Sequence, residues 1–289
     1  MEYAITLGIL MGISIILALS LNLISGYCGQ ISLGHAAFYG TGAYCAALMT
    51  KAGLPFFVAL LAGAGLAGLL GLLVGLASLR VRHDFLAITT MGVGFLFIGI
   101  VRQQDWLGGE MGIYNIPDTG LSKGWFLVLV LAIAAAVALF SLYVKRSWMG
   151  FAFDAVADDE DTARMIGIDV SRYKLTAFAM GTAIAGLAGG LYAHDIKYIG
   201  PDSFGFVESI MILSMVVVGG IGSVPGVILA AALLSVLPQW LQFIAEYKLL
   251  IYGVLLFAVM RFSPGGLAQI ADQLWNRIRK RDAPKDGAS

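Results

Sequence analysis

An all-α fold, a polytopic transmembrane helix bundle with broken or re-entrant segments, is what this sequence predicts, and three observations carry that expectation. Of its 289 residues, 59% are hydrophobic and 12% charged, where soluble domains carry about 25% charge. The apolar residues gather into stretches near the roughly 20 residues that a helix rising about 1.5 Å per residue needs to cross about 30 Å of hydrocarbon. The densest charge sits in one segment between two such stretches, AVADDEDTARMIGIDVSRYK within residues 145–173.

Taken in order, the candidate spans are residues 4–24, 31–50, 55–79, 85–101, 125–144, 174–193, 209–218, 224–244 and 249–260. The first follows MEYAITLGILMG, which has no basic leader and no cleavage signature, so it reads as a retained span. The seventh is too short to cross upright and ends in GGIGSVPG. Glycine-rich backbone at membrane depth is tolerated where protein or a wet cavity satisfies its polar groups, which predicts a broken or re-entrant element there. After Pro264, GLAQIADQLWNRIRKR places Leu267, Ile270, Leu274 and Ile278 at helical spacing. This predicts an interfacial helix drawn to anionic lipid, a solvated tail being the alternative. The division is therefore a transmembrane domain, 1–263, and a cytoplasmic amphipathic tail, 264–289.

Charge is informative by position. With the N-terminus outside, five of the 18 basic residues (Lys51, Arg102, Lys123, Lys197 and Lys248) fall outside and the remainder inside, as the positive-inside rule requires. A zero net charge leaves no general basic surface for nucleic acid. Cys28 and Cys45 lack metal-ligand or disulfide spacing and read as packing residues; no metal site is expected.

Polar residues inside apolar stretches are the candidates for a translocation path: Asn22, Gln30, Ser32, His35 and Thr41 around the second span, and Thr89 and Thr90 in the fourth. Such groups are costly in lipid unless they face other helices or water. For His35 the competing reading is a structural hydrogen bond between helices. For the threonines it is a bond back to their own helix. Of the 37 glycines, Gly34, Gly42, Gly71, Gly75, Gly186 and Gly190 are assigned to close helix packing. AGLAGLL and AGLAGGL echo each other, which low complexity explains as readily as an internal repeat. The connector 103–124 offers either a docking surface or a solvated link.

The charged segment has helix logic of its own. Asp158 caps, Asp159, Glu160 and Asp161 occupy a first turn that favours negative charge, Arg164 follows, and Gly167 terminates. Ala155, Val156, Met165, Ile166 and Ile168 add apolar surface that a partner would cover. A water-facing acidic helix in a lipid-embedded chain points to an energy source on another polypeptide. The sequence contains no GxxxxGK[ST] loop to hold nucleotide itself.

GYCGQISLGHAAFYGTGAY, FLAITTMGVGF, GIDVSRYKLTAFAMGTAIAGLAGGLYA and SIMILSMVVVGGIGSVPGVILAA together resemble the LivM-type permease of branched-chain amino acid ABC importers, over about residues 8 to 262. The resemblance implies a non-enzymatic translocation subunit of the bacterial inner membrane with a cytoplasmic C-terminus. Its implied partners are a second homologous permease, two cytoplasmic ATPase subunits that bind ATP and Mg, and an extracytoplasmic solute-binding protein. It also makes the segment beginning at Asp158 and ending at Gly167 the coupling helix. The chain departs from the family pattern at Ala157 (usually Arg), at Phe95 (usually Glu) and in LGGEMG (usually like TGGxNG). Rival readings are an ion-coupled secondary transporter, for which His35 is the ionisable group well inside a span, a passive channel, and an ABC permease for urea or short amides.

Overall fold

The computed structural model describes residues 2–78, 83–240, 250, 253–254, 257–259, 261, 265–267 and 269. Its helices are α1 (Glu2–Leu21), α2 (His35–Lys51), α3 (Phe56–Ser78), α4 (His83–Gln103), α5 (Lys123–Arg146), α6 (Trp148–Asp158), α7 (Glu160–Met165), α8 (Val170–Ile196), α9 (Phe206–Gly219) and α10 (Val224–Trp240). Two-residue strands β1 (Ile113–Tyr114) and β2 (Tyr198–Ile199) pair antiparallel at one end. Six segments among the described residues are long and apolar enough to span a bilayer. The tail 264–289 and the last expected span, 249–260, lie largely outside the described residues.

The helix ends follow local chemistry. Ser122 opens α5, accepting the Trp125 N–H at 3.5 Å, and Asp169 opens α8, accepting the Arg172 N–H at 3.2 Å. Ser223 caps α10 through the Gly226 N–H at 3.3 Å, with Pro225 in the first turn, where no backbone donor is needed. At the centre, α2, α3 and α8 pack backbone to backbone. A Cβ on Gly42 would strike the Gly186 backbone, one on Gly186 would strike Ala67, and one on Gly71 would strike the Thr182 side chain. A Cβ on Gly190 would stand 2.7 Å from Leu60 and one on Gly75 3.0 Å from Leu175. Around this trio α1 lies against α5, α8 and α10, while α9 and α10 form an antiparallel pair and α4 packs at the side on α2 and α9.

Three expectations are corrected. The second span does not begin at residue 31: α1 passes into a wider π-helical turn, Asn22–Tyr27, the next residues leave the helix, and α2 starts only at His35. The short seventh stretch is preceded by a 3-10 turn, Pro201–Phe204, so that Pro201–Gly219 reaches spanning length, broken as expected where extended Gly205 parts the turn from α9. It runs the full depth of the bundle, from Asp202 paired with Arg102 at 2.7 Å to a glycine turn that meets the far end of α1. The charged connector holds two helices rather than one, because α6 buries Gly150, Phe153 and Val156 at spacing three against the bundle.

The two ends differ. One carries Glu2, Lys51, Lys123 and Lys197 with the strand pair; Lys197 meets Asp118 at 2.6 Å and Lys51 donates to the Tyr114 carbonyl at 3.3 Å. The other carries α6, α7, Lys145, Arg146 and the start of α8.

Candidate functional site

At the second end, α7 is a short helix closed by side chains and backbone at both ends. Asp159, extended at φ −160° and ψ 115°, is its N-cap, and its Oδ1 accepts the Thr162 N–H at 2.6 Å. That bond holds the fully exposed Asp159 carboxyl below its ordinary pKa. The expected cap, Asp158, is instead the last residue of α6. The reason is local: α6 keeps its hydrogen bonding through the Asp159 N–H to Ala155 O at 3.2 Å, so the first extended residue is Asp159.

Glu160 and Asp161 occupy the first turn of α7, where the helix dipole favours carboxylates. Arg164 donates to Asp161 at 2.8 Å and to Glu160 at 3.2 Å. Gly167, at φ +88°, ends the helix: its N–H reaches Arg164 O at 3.1 Å while the Ile168 N–H reaches Ala163 O at 3.0 Å. This pair of bonds is the Schellman motif, and the left-handed residue it requires is cheap for glycine. Of the apolar groups singled out in the segment, Val156 is buried, while Met165 and Ile166 are 87% and 68% exposed. The tip of the hairpin therefore offers apolar side chains rimmed by carboxylates.

Beside this hairpin lies the interruption between α1 and α2. Gly29, at φ +69°, packs on Ala157, where a Cβ would stand 3.2 Å from that residue's Cα and Cβ. Ser25 donates to Gln30 O at 2.8 Å, and Gln30 Nε2 donates to Lys174 O at 3.1 Å. Further along, the Leu33 N–H is accepted by Thr90 Oγ1 at 3.0 Å and the Ala36 N–H by Ser209 Oγ at 3.1 Å. Unpaired donors at the start of α2 are thus satisfied by α4 and α9 rather than by a cap from its own strand of chain. Gly34 crosses the Thr90 backbone so closely that no side chain fits.

The expected path residues divide. Asn22, Gln30, Ser32, His35 and Thr90 lie around this interruption, all almost fully buried. Thr41 sits higher on α2 and bonds back to Ala37 O at 2.8 Å, and Thr89 is half-buried on α4. His35 Nε2 and Ser20 Oγ are 2.7 Å apart. Ser20 donates its own proton to Leu17 O at 2.6 Å, so the hydrogen-bond network assigns the donor role to Nε2–H. Asn22 accepts the Gly222 N–H at 2.9 Å, and the Lys145 ammonium donates to the Gly222 carbonyl while lying 5.6 Å from the Tyr27 ring. The glycine turn after α9 is thereby held by α1 and α5 together.

Several contributors escaped the sequence reading. Ser20, Ser209 and Lys174 give no local signal of their contacts, since each meets a residue well separated from it along the chain. His194, at the far end of α8, lies one residue past the expected span 174–193; it is buried, with Nδ1 2.7 Å from Gly190 O and Nε2 3.2 Å from Thr50 Oγ1. The helical repeat of small and apolar residues in α6 could have revealed that helix.

Comparison with known proteins gives the family. Residues 3–260 match the family described as branched-chain amino acid transport system / permease component. The chain is 36% identical to the high-affinity branched-chain amino acid transport system permease protein LivM of Escherichia coli (strain K12), across 88% of this chain and 67% of that protein. It is 26% identical to the high-affinity branched-chain amino acid transport system permease protein BraD of Pseudomonas aeruginosa, across 87% and 90%. Among solved structures, PsaBC from Streptococcus pneumoniae in complex with Fab is similar in fold, with a TM-score of 0.50 and 16% identity over 91% of this chain and 92% of that one. With six apolar segments of spanning length among the described residues and a family match over nearly its whole length, this chain is a multi-pass membrane protein that belongs to the branched-chain amino acid transport permease family.

Proposed function

We propose that the chain is one of two membrane subunits of an ATP-driven, binding-protein-dependent importer of branched-chain amino acids in a bacterial inner membrane. The α6–α7 end faces the cytoplasm, and α7 seats in a separate ATPase subunit that holds ATP and Mg. The observation that carries this reading is α7 itself, a self-capped helix presenting exposed Met165 and Ile166 beside an acidic first turn. This sequence has no phosphate-binding loop, so any ATP is held by another polypeptide, and a self-capped, partly apolar helix tip suits docking into a partner's groove. The opposite end, with exposed Trp106, Met111 and Tyr114 beside an open cleft of about 310 Å³ lined in part by Leu48, Lys51 and Gly112, receives the solute-binding protein. Between the ends, this chain and the second permease subunit together shield a zwitterion that costs several kcal/mol per charge in bare lipid.

The test is uptake by proteoliposomes holding the chain together with co-purified partners. Uptake should require ATP, and charge reversal at Asp159 and Glu160, or Gly167→Val, should abolish it while the chain still inserts. Valine at φ +88° costs about 1–2 kcal/mol, comparable with what a short helix end contributes. Uptake driven by an ion gradient without ATP, or undiminished in these variants, refutes the assignment.

A further inference from the structure

The segment between α1 and α2 is fastened at its two ends to different helices. On one side, Gln30 donates to the Lys174 carbonyl at 3.1 Å and Gly29 rests on Ala157 of α6. The Lys174 ammonium in turn forms an ion pair with Glu160 of α7. Both side chains are largely shielded, at 12% and 21% exposure, whereas Arg164, the other cation on Glu160, is 55% exposed. On the other side, Leu33 and Ala36 are held by Thr90 of α4 and Ser209 of α9.

We propose that residues 28–34 are a strap that carries displacement of the α6–α7 hairpin to α4 and α9, and that Lys174 is the positioning residue that couples hairpin to strap. One residue holds both: its ammonium grips Glu160 and its carbonyl grips Gln30. A shielded ion pair is strongly directional, because separating it leaves a poorly solvated charge on each partner, so α7 cannot shift without drawing on the start of α8. The Gly29–Ala157 contact supplies a second point of bearing. This is a physically contiguous network with named contacts at each joint, the condition under which coupling between distant sites is transmitted through structure. It accounts for the irregular backbone too: a continuous helix through residues 28–34 would present neither Gly29 to α6 nor the Leu33 N–H to α4. The strap's role in transport rests on the proposed function, but its mechanical linkage does not.

The experiment compares Lys174→Glu, Glu160→Lys and the double charge swap in the assembled complex in lipid nanodiscs, reading amide hydrogen exchange, and in proteoliposomes, reading solute moved per ATP. Each single variant should raise exchange in residues 28–34 as well as in 160–167, and should lower solute moved per ATP about fivefold, within the range single contacts in a coupling network carry. The swap should restore slow exchange in residues 28–34, the readout that charge reversal in the docking turn at Glu160 does not itself move. Exchange that rises in 160–167 alone, or a swap no better than the single variants, overturns the linkage. If the wild-type complex moves solute without ATP, the function proposed above fails, while the exchange data still decide whether hairpin and strap are joined.

Discussion

A single methyl group on Gly42 should loosen the centre of the bundle. Gly42 faces the backbone of Gly186 so closely that an alanine Cβ would fall inside the carbonyl group, and Gly63 of α3 closes the same contact from the other side, its own Cβ position 2.8 Å from Gly42 O. Neither obstacle is the movable end of a side chain, so α2 must part from α8 along much of its length. Overpacking of this kind costs about 1–3 kcal/mol. At about 2–4 °C per kcal/mol for a chain of this size class, Gly42→Ala should lower Tm by about 2–12 °C. The assay is thermal unfolding in detergent micelles, with Gly65→Ala as the matched control. A Cβ on Gly65 meets nothing within 4 Å, and alanine replaces glycine in a helix with a gain of up to about 1 kcal/mol, so the control should hold or raise Tm. If Gly42→Ala melts at or above the wild type, close backbone approach is not what holds α2, α3 and α8 together.

Thr90→Val keeps the shape of the side chain but leaves the Leu33 N–H without its acceptor; in that part-buried site the loss should be about 1–2 kcal/mol, read as a fall in Tm that Thr90→Ser does not show. Asp159→Ala should fray α7, seen as faster amide exchange across residues 160–166. The pH dependence has a definite sign: the carboxyl is held below its ordinary value of 3.8, so its capping contribution is fully present above that value and is lost as pH falls through the lowered one. Acid should therefore lower the exchange protection of wild-type α7, relative to the intrinsic rate at each pH, by more than it lowers that of Asp159→Ala; equal losses in the two would contradict the capping geometry.

Much of this architecture is legible one segment at a time. Apolar length marks α1, α3, α5 and α8 because a span must bury some 20 consecutive backbone units whatever surrounds it. The run of Asp, Glu and Arg ending in Gly167 marks α7 because capping, dipole and left-handed termination are properties of a few adjacent residues. The cap was misplaced by one position, to Asp158, since the length of α6 decides which acid becomes extended, and α6 is stabilised by packing Phe153 and Val156 on the bundle.

Which distant groups meet was not legible. His35 stood out as a polar residue in lipid, yet its partner Ser20 is a common residue in an apolar run. The acceptors for Leu33 and Ala36 lie 57 and 173 residues away along the chain, and Lys174 looked like the edge of a span until it met Glu160. By itself the sequence determined that the chain is a bundle of membrane-length apolar helices and that one short helix runs up to Gly167, because hydrophobic length and hydrogen bonding within a turn act locally. Tertiary structure alone decided that α1 and α2 are interrupted and how that interruption is fastened, because buried donors and charges are satisfied by whichever helix packing brings alongside.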